Sequence, residues 1–381
     1  RSERIVRLRV MPWCDRLRLM FFGNLHQDWA EFVLTELGLQ RFERVELTPG
    51  SRAFDRREEV NTYLALHALR ERLDNGEPSE ELEAEVPEVP EGNAWLTQRR
   101  GKLLLRLGHS AERKGQAERV ARLLERLGEH RQAHALASQA WQAATCEQET
   151  QALARLLPRL CRRLGLAPPA GEPEARPQRL DLCLPRAGAT SVEQAVAEHL
   201  SRPEAPVYYV ENALVTGLFG LLCWPALFAP LPGAFFHPFH SGPADLHRDD
   251  FVARRRERFE ACLARLDDGS HGEAIRRTWH AKRGLASPFV HWDGLDETLL
   301  EQALTCIPAM HLRACFERLL ADPKTNRAGL PDLIQFLPPD PEGQPRYRLI
   351  EVKGPGDRLQ DNQRRWLAYF QRHAIPAEVC H

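Results

Sequence analysis

The sequence predicts a multidomain protein that is mainly α-helical and ends in an α/β domain. Three observations carry this. At 381 residues the chain is long enough for two or three domains of ordinary size. Its composition shifts twice, at a glutamate-rich stretch and again at a proline-rich one. Apolar residues recur at helical spacing through the first two segments, whereas strands alternate with helices only in the third.

Taken in order, residues 1–76 read as a helical domain. It opens with Arg1, Arg4, Arg7, Arg9, Arg16 and Arg18 against Glu3 and Asp15. Trp29, Phe32, Val33 and Leu37 then line one side of an amphipathic helix over 27–38 that Gly38 is placed to end, and a second helix covers 57–73. Residues 77–92 hold seven glutamates and three prolines without a basic residue, the signature of a solvated acidic linker. Residues 93–166 are helical throughout, with Gly108, Gly115 and Gly128 where turns belong. This region resembles a tetratricopeptide-type helical repeat, although no strict period survives. Between Arg99 and Arg131 it carries ten Lys or Arg against four Glu, which is either an ordinary solvated helix surface or a face that tracks phosphates. Proline-rich residues 167–190 form a second linker.

Residues 191–381 read as the α/β domain. A helix over Val192–Leu200 leads to a short strand over 206–210, then to a helix from Glu211 onward. Further helices cover about 249–266 and 294–320. Two strands (Asp332–Phe336 and Tyr347–Val352), a helix (Asp357–Arg372) and a strand (Ala377–His381) close the chain.

The whole chain has 52 basic against 53 acidic residues, but a net charge near zero does not exclude a nucleic-acid partner when the charge is unevenly distributed. Only five of the basic residues are lysines, at 102, 114, 282, 324 and 353. The excess of arginine is first of all what codon bias in a GC-rich genome produces. Where arginine is the default cation, a retained lysine is a candidate for chemistry that asks for a compact ammonium. Nine cysteines without a CxxC pair point to reduced thiols and a cytoplasmic protein. The longest apolar stretch, Ala213–Leu231, is broken by glycine and proline and reads as a core helix running into a loop, so no membrane partner is expected. Neither a P-loop nor a dinucleotide fingerprint is present.

The chemistry concentrates in Gly329-Leu330-Pro331-Asp332-Leu333-Ile334-Gln335-Phe336 and Tyr347-Arg348-Leu349-Ile350-Glu351-Val352-Lys353-Gly354. The Pro- and Gly-rich turn between them makes these strands a hairpin. Glu351 and Lys353, two apart, share a face and meet Asp332 at the head of the other strand. Two carboxylates are a minimal site for Mg²⁺ or Mn²⁺, and a lysine beside them can hold the attacking water and offset charge on a phosphoryl group. The cluster Arg254-Arg255-Arg256 with Arg258 is either a phosphate contact or a solvated helix face. His237-Pro238-Phe239-His240 reads as a loop packed around its aromatics.

Pro-Asp followed by Glu-x-Lys resembles the PD-(D/E)XK nuclease motif, and 327–366 is similar to the VRR-NUC nuclease domain. With Arg18-Leu19-Met20-Phe21-Phe22-Gly23 and Gly217-Leu218-Phe219-Gly220-Leu221-Leu222, the chain resembles the Fanconi-associated nuclease family, as a bacterial member. The resemblance implies a DNA-binding role for 1–76, a VRR-NUC fold for 191–381, and a 5′ flap endonuclease and 5′-to-3′ exonuclease acting in DNA repair, including interstrand crosslink repair. It further implies one or two Mn²⁺ or Mg²⁺ ions on Asp332, Glu351, the Val352 carbonyl and Glu211. Lys353 would position the water and Gln363 would steady it. Lys324, Arg327 and Arg358 would take the terminal phosphate. The chain departs from the pattern at Asn362, where a further cation is expected. The partner so implied is branched or flapped double-stranded DNA with a 5′ end, with repair proteins bound through the helical repeats. Two alternatives stand beside this: a Holliday-junction resolvase-like endonuclease, and a non-catalytic repair scaffold.

Overall fold

The computed structural model describes residues 10–22, 30–52, 54–108, 117–144, 147–167, 177–184, 191–248, 250–339 and 345–381. The arginines at 1, 4, 7 and 9, the first residues of the 27–38 stretch, and the turn at 340–344 lie outside them. The chain divides into two compact units, Arg1–Met20 with Phe54–Pro173, and Phe21–Ala53 with Glu174–His381.

The first unit is helical. It holds most of α1 (Met11–Phe22), with α3 (Arg57–Asp74), α4 (Ser79–Glu83), α5 (Ala94–Gly108), α6 (Ala117–Arg126), α7 (His130–Ala143) and α8 (Glu147–Leu164); α2 (Ala30–Glu36) belongs to the second unit. Leu66, Leu69, Leu73, Leu82, Leu103 and Leu107 form one core across α3–α5. The acidic stretch is therefore not the solvated linker its composition suggests. Leu82 is fully buried, Arg72 pairs with Glu77 and Glu85, and Arg100 pairs with Glu88. Leu82 and, just after α4, Val86 thus dock the segment, and two arginines absorb part of its charge. The second core joins α6 to α7 and α7 to α8. There the small residues Ala133, Ala137 and Ala140 let Leu153, Leu156, Leu157 and Leu160 pack close.

The second unit carries a five-stranded mixed sheet, ordered β1 (Gln178–Leu180), β5 (Ala377–Cys380), β4 (Tyr347–Val352), β3 (Leu333–Phe336) and β2 (Val207–Tyr209). β1 and β4 both run parallel to β5, while β3 is antiparallel to β4 and to β2. β1 lies inside the stretch read from sequence as a linker. Its three residues, with two exposed, show no alternation, and its partner strand is at the far end of the chain.

Between the strands run α9 (Val192–Leu200), α10 (Leu214–Leu222), α11 (Trp224–Leu227), α12 (Arg256–Asp267), α13 (His271–Lys282), α14 (Glu297–Cys306), α15 (Ala309–Ala321) and α16 (Asp361–Arg372). The expected 294–320 helix is two, because Pro308 caps the second and cannot continue the first. α13 was not anticipated; its exposed face carries too many charges and histidines to show periodicity. The final helix begins at Asp361 rather than 357.

Alternation along the strands divides the core. Leu333, Ile350, Val352 and Cys380 pack with Val196 of α9 on one face. Ile334, Phe336, Tyr347 and Leu349 face the larger cluster of α10, α12–α16 on the other. α10 is buried along its whole length, the core helix its composition predicts. Gly220 permits this, since a Cβ there would stand 2.8 Å from Phe289 Cβ and 2.9 Å from Val290 Cγ2. The segment after α1 is built into this unit. Glu43 accepts from Trp224 Nε1 at 2.7 Å and pairs with Lys282 at 2.6 Å.

Two expectations about side chains resolve here. Arg254 and Arg255 both close on buried Asp245, so they serve the fold rather than a phosphate; Arg256 and Arg258 remain exposed. His237 and His240 stack at 3.9 Å, with Phe21 5.0 Å from His237. Burial drives both imidazoles down, to about 3 and about 4, so this pair packs as neutral aromatic surface.

Candidate active site

The hairpin of β3 and β4 builds the site. Asp332 precedes β3 and Glu351 lies in β4. By alternation both fall on the helix-rich face, with Lys353 two residues after Glu351. Asp332 is anchored across the hairpin, where its Oδ2 accepts from Val352 N at 2.8 Å. Glu351 is 1% exposed. Its Oε1 accepts from Gln363 Nε2 at 2.6 Å and lies 2.8 Å from Lys353 Nζ. Gln363 stands in the first turn of α16, and its Oε1 accepts from Gln360 N at 2.8 Å. Capping the helix with one end of the amide thus aims the other end at Glu351.

The electrostatics follow from crowding. Burial and the neighbouring Asp332 carboxylate push Glu351 up to about 7, against the opposing pull of Lys353. Burial also raises Asp332, with Glu211 and Glu193 adding smaller upward pushes; the Val352 N–H and Lys353 partly offset them. Two buried acids beside a single lysine are short of positive charge. Their donors are hard oxygens, the set that suits Mg²⁺ or Mn²⁺. Among the described residues, no three His, Cys, Asp or Glu side chains gather as a ready-made cage. A cation here would rest first on Asp332 and Glu351, with a backbone carbonyl, water and the neighbouring Glu211 carboxylate left to complete its shell.

Glu211 does not head a helix, as sequence suggested. It occupies the turn after β2, and α10 begins only at Leu214. The reason is Asn212, whose φ of +50° breaks the helical path. Glu211 is nonetheless near the pair, since its charge reaches Asp332. Its Oε2 accepts from Tyr209 Oη and its Oε1 from Asn212 Nδ2 at 3.3 Å.

Tyr209, Asn212 and Glu193 were missed by sequence reasoning. Tyr209 and Glu211 are two apart at a strand end, and that spacing was the available signal for Tyr209. Nothing in the sequence flagged Asn212, or Glu193 in the first turn of α9.

The cationic candidates are less gathered. Lys324 and Arg358 are exposed. Arg327 is half-buried, donates from Nη1 to the Pro288 carbonyl at 3.0 Å and lies over Phe289. Lys324 and Arg327 share a neighbourhood, as both lower His247, though burial does so more. Asn362, in place of the expected cation, is used in packing, because the space beside Gly329 where a Cβ would sit is 2.7 Å from Asn362 Cγ.

Residues 266–381 match the VRR-NUC domain. Over 397 residues the chain is 53% identical to the Fanconi-associated nuclease 1 homolog of Pseudomonas aeruginosa, an alignment covering all of this chain and 70% of that protein. The chain belongs to the Fanconi-associated nuclease family. Eukaryotic Fanconi-associated nucleases match in part. The human protein is 34% identical over 201 residues, half of this chain but 19% of that one, and the Oryza sativa homolog is 32% identical over 170 residues, 18% of its length. Among solved structures, paFAN1 bound to 2nt 5′ flap DNA with gap superposes with a TM-score of 0.81 at 54% identity, covering 98% of this chain and 71% of that one. The same Fanconi-associated nuclease bound to 1nt 5′ flap DNA with gap matches equally, at 0.81. No described helix is long and apolar enough to cross a membrane.

Proposed function

We propose that this chain is a metal-dependent, structure-specific DNA nuclease that hydrolyses phosphodiester bonds near the 5′ end of flapped or branched duplex DNA, in DNA repair. The observation that carries the reading is the buried Asp332–Glu351 pair with Lys353 and Gln363 on one oxygen of Glu351. The 5′ polarity is supported by the 5′ flap DNA bound to the related paFAN1.

In this reading Asp332, Glu351, the Val352 carbonyl and Glu211 hold one or two Mg²⁺ or Mn²⁺ ions. Such an ion, when bound, supplies Lewis acidity and charge neutralisation at the phosphate. Lys353 Nζ, fixed on Glu351, orients a water for attack and offsets the charge that builds on the phosphoryl oxygens. Gln363 holds Glu351 in the rotamer that leaves Lys353 in place. Lys324, Arg327 and Arg358 contact phosphates near the cut. The first unit tracks the duplex backbone, recognising shape rather than sequence, and its tetratricopeptide-like helices offer a surface to repair proteins.

A 5′ flap, a 3′ flap and a four-way junction, each incubated with Mn²⁺ and wild type or Asp332→Ala, test this. Cleavage of the 5′ flap by wild type alone is expected. Equal cleavage by both proteins overturns the site. Symmetric cutting of the junction alone makes the chain a resolvase, and no cutting of any substrate leaves it a scaffold.

A further inference from the structure

The turn after β2 does more than connect a strand to α10. Both oxygens of Glu211 are held, one by the residue two before it and one by the residue after it. Tyr209 Oη donates to Oε2, and Asn212 Nδ2 donates to Oε1 at 3.3 Å. Asn212 is engaged at its other end too. Its Oδ1 accepts from Leu330 N at 3.2 Å, two residues before Asp332, and its carbonyl accepts from Thr216 Oγ1. In parallel, Val210 N donates to the Asp332 carbonyl at 2.8 Å. Asn212 adopts left-handed backbone at φ +50°, a region asparagine tolerates better than most residues with a Cβ.

We infer that Tyr209 and Asn212 clamp Glu211, fixing its carboxylate as a metal ligand and locking it to the backbone that carries Asp332. The inference rests on Glu211 being such a ligand. Glu211 is exposed and Tyr209 is 57% exposed, so without the clamp the glutamate would sample many rotamers, and binding a cation would require ordering it. Two neutral donors remove that cost without competing for charge, which is how groups behind a metal ligand raise affinity. They also join two separate parts of the chain. A displacement of the β2 turn reaches the Gly329–Asp332 segment through the Asn212 amide as well as through the Val210 backbone bond to Asp332.

Both residues act through Glu211, so they are positioning residues, and Mn²⁺ binding without DNA reads them directly. Mn²⁺ is titrated into the full chain by electron paramagnetic resonance for wild type, Tyr209→Phe, Asn212→Gly, Glu211→Gln and the two double variants with Glu211→Gln. Asn212→Gly keeps the left-handed turn accessible, and thermal melting without metal checks its fold. Glu211→Gln is expected to weaken binding. Tyr209→Phe and Asn212→Gly are each expected to weaken it about 10-fold, the lower end for groups behind a ligand, and to add nothing once Glu211 is Gln. Wild-type affinity in Tyr209→Phe and Asn212→Gly, with Glu211→Gln weakened, overturns the clamp while leaving the ligand. Unchanged affinity in Glu211→Gln overturns the ligand reading, and the clamp with it. Equal further losses in the Glu211→Gln background mean general loosening of the fold, which also overturns the clamp.

Discussion

Gln363 donates to Glu351 across 2.6 Å, joining the first turn of the last helix to the strand that carries the buried acid. Because the other end of the same amide caps α16, its orientation is not free to invert. Gln363→Ala is expected to lower kcat about 10- to 100-fold, the range for groups that orient a ligand, with little change in KM. Gln363→Glu retains the cap but sets a carboxylate against Glu351. It should cost more activity than the alanine, and steady-state kinetics on a 5′ flap checks the order.

The Glu351 carboxyl, held at about 7 by burial and Asp332, makes folding depend on pH in a defined direction. Between the ordinary glutamate range and about 7 the folded chain keeps a proton that the unfolded chain has lost. The stabilisation is therefore fully present below that range and disappears as pH rises through about 7, amounting to about 3 kcal/mol at most. Without metal, melting temperature should fall over this window in wild type and fall less in Glu351→Gln. Added Mn²⁺ should raise the wild-type melting temperature more at pH 8 than at pH 6, since the proton no longer competes.

Gly329 sits at φ +88°, with Asn362 occupying the space a Cβ would need. Gly329→Ala is expected to destabilise the chain by about 2–4 kcal/mol, from the left-handed backbone and the overpacking together. It should also push Asn362, and with it Gln363, away from Glu351. Urea unfolding gives the first effect and flap cleavage the second, and the loss of activity should persist under conditions where the variant is fully folded.

Asp245 carries two arginines, Arg255 in a fully buried ion pair and Arg254 in a partly exposed one. Asp245→Ala strands Arg255 without its counter-charge and is expected to cost about 3–5 kcal/mol. DNA affinity, measured at a temperature where the variant is folded, should be unchanged. A large affinity loss would return Arg254 and Arg255 to the phosphate-binding role suggested by their clustering.

How much of this was legible in the sequence varied with the kind of interaction. The β3–β4 hairpin was readable because both strands are buried on two faces and so appear as apolar runs, with Arg348 their one charge away from the site. α9 was readable over Val192–Leu200, and the structure adds Ser191 as its cap, accepting from Gln194 N. β1 was not, because an edge strand of three mostly polar residues has no pattern of its own and exists through pairing with β5. At the site, Asp332, Glu351 and Lys353 announced themselves through spacing along a strand. Tyr209 and Asn212 did not, because their contribution depends on a backbone angle and on a contact with Leu330, neither of which local composition encodes.

The sequence distances across the site have a consequence for how the protein comes into being. Asp332 and Val352 bond across a separation of 20, whereas Asn212 and Leu330 are 118 apart. Closing a short hairpin loop costs less entropy and happens sooner than joining segments separated by several helices. On that ground the hairpin with its two acids is expected to form first, and Glu211 to join once the intervening helices have packed. A chain still folding would then hold an incomplete cutting centre, and breaking a DNA strand would be a late-acquired property of the molecule.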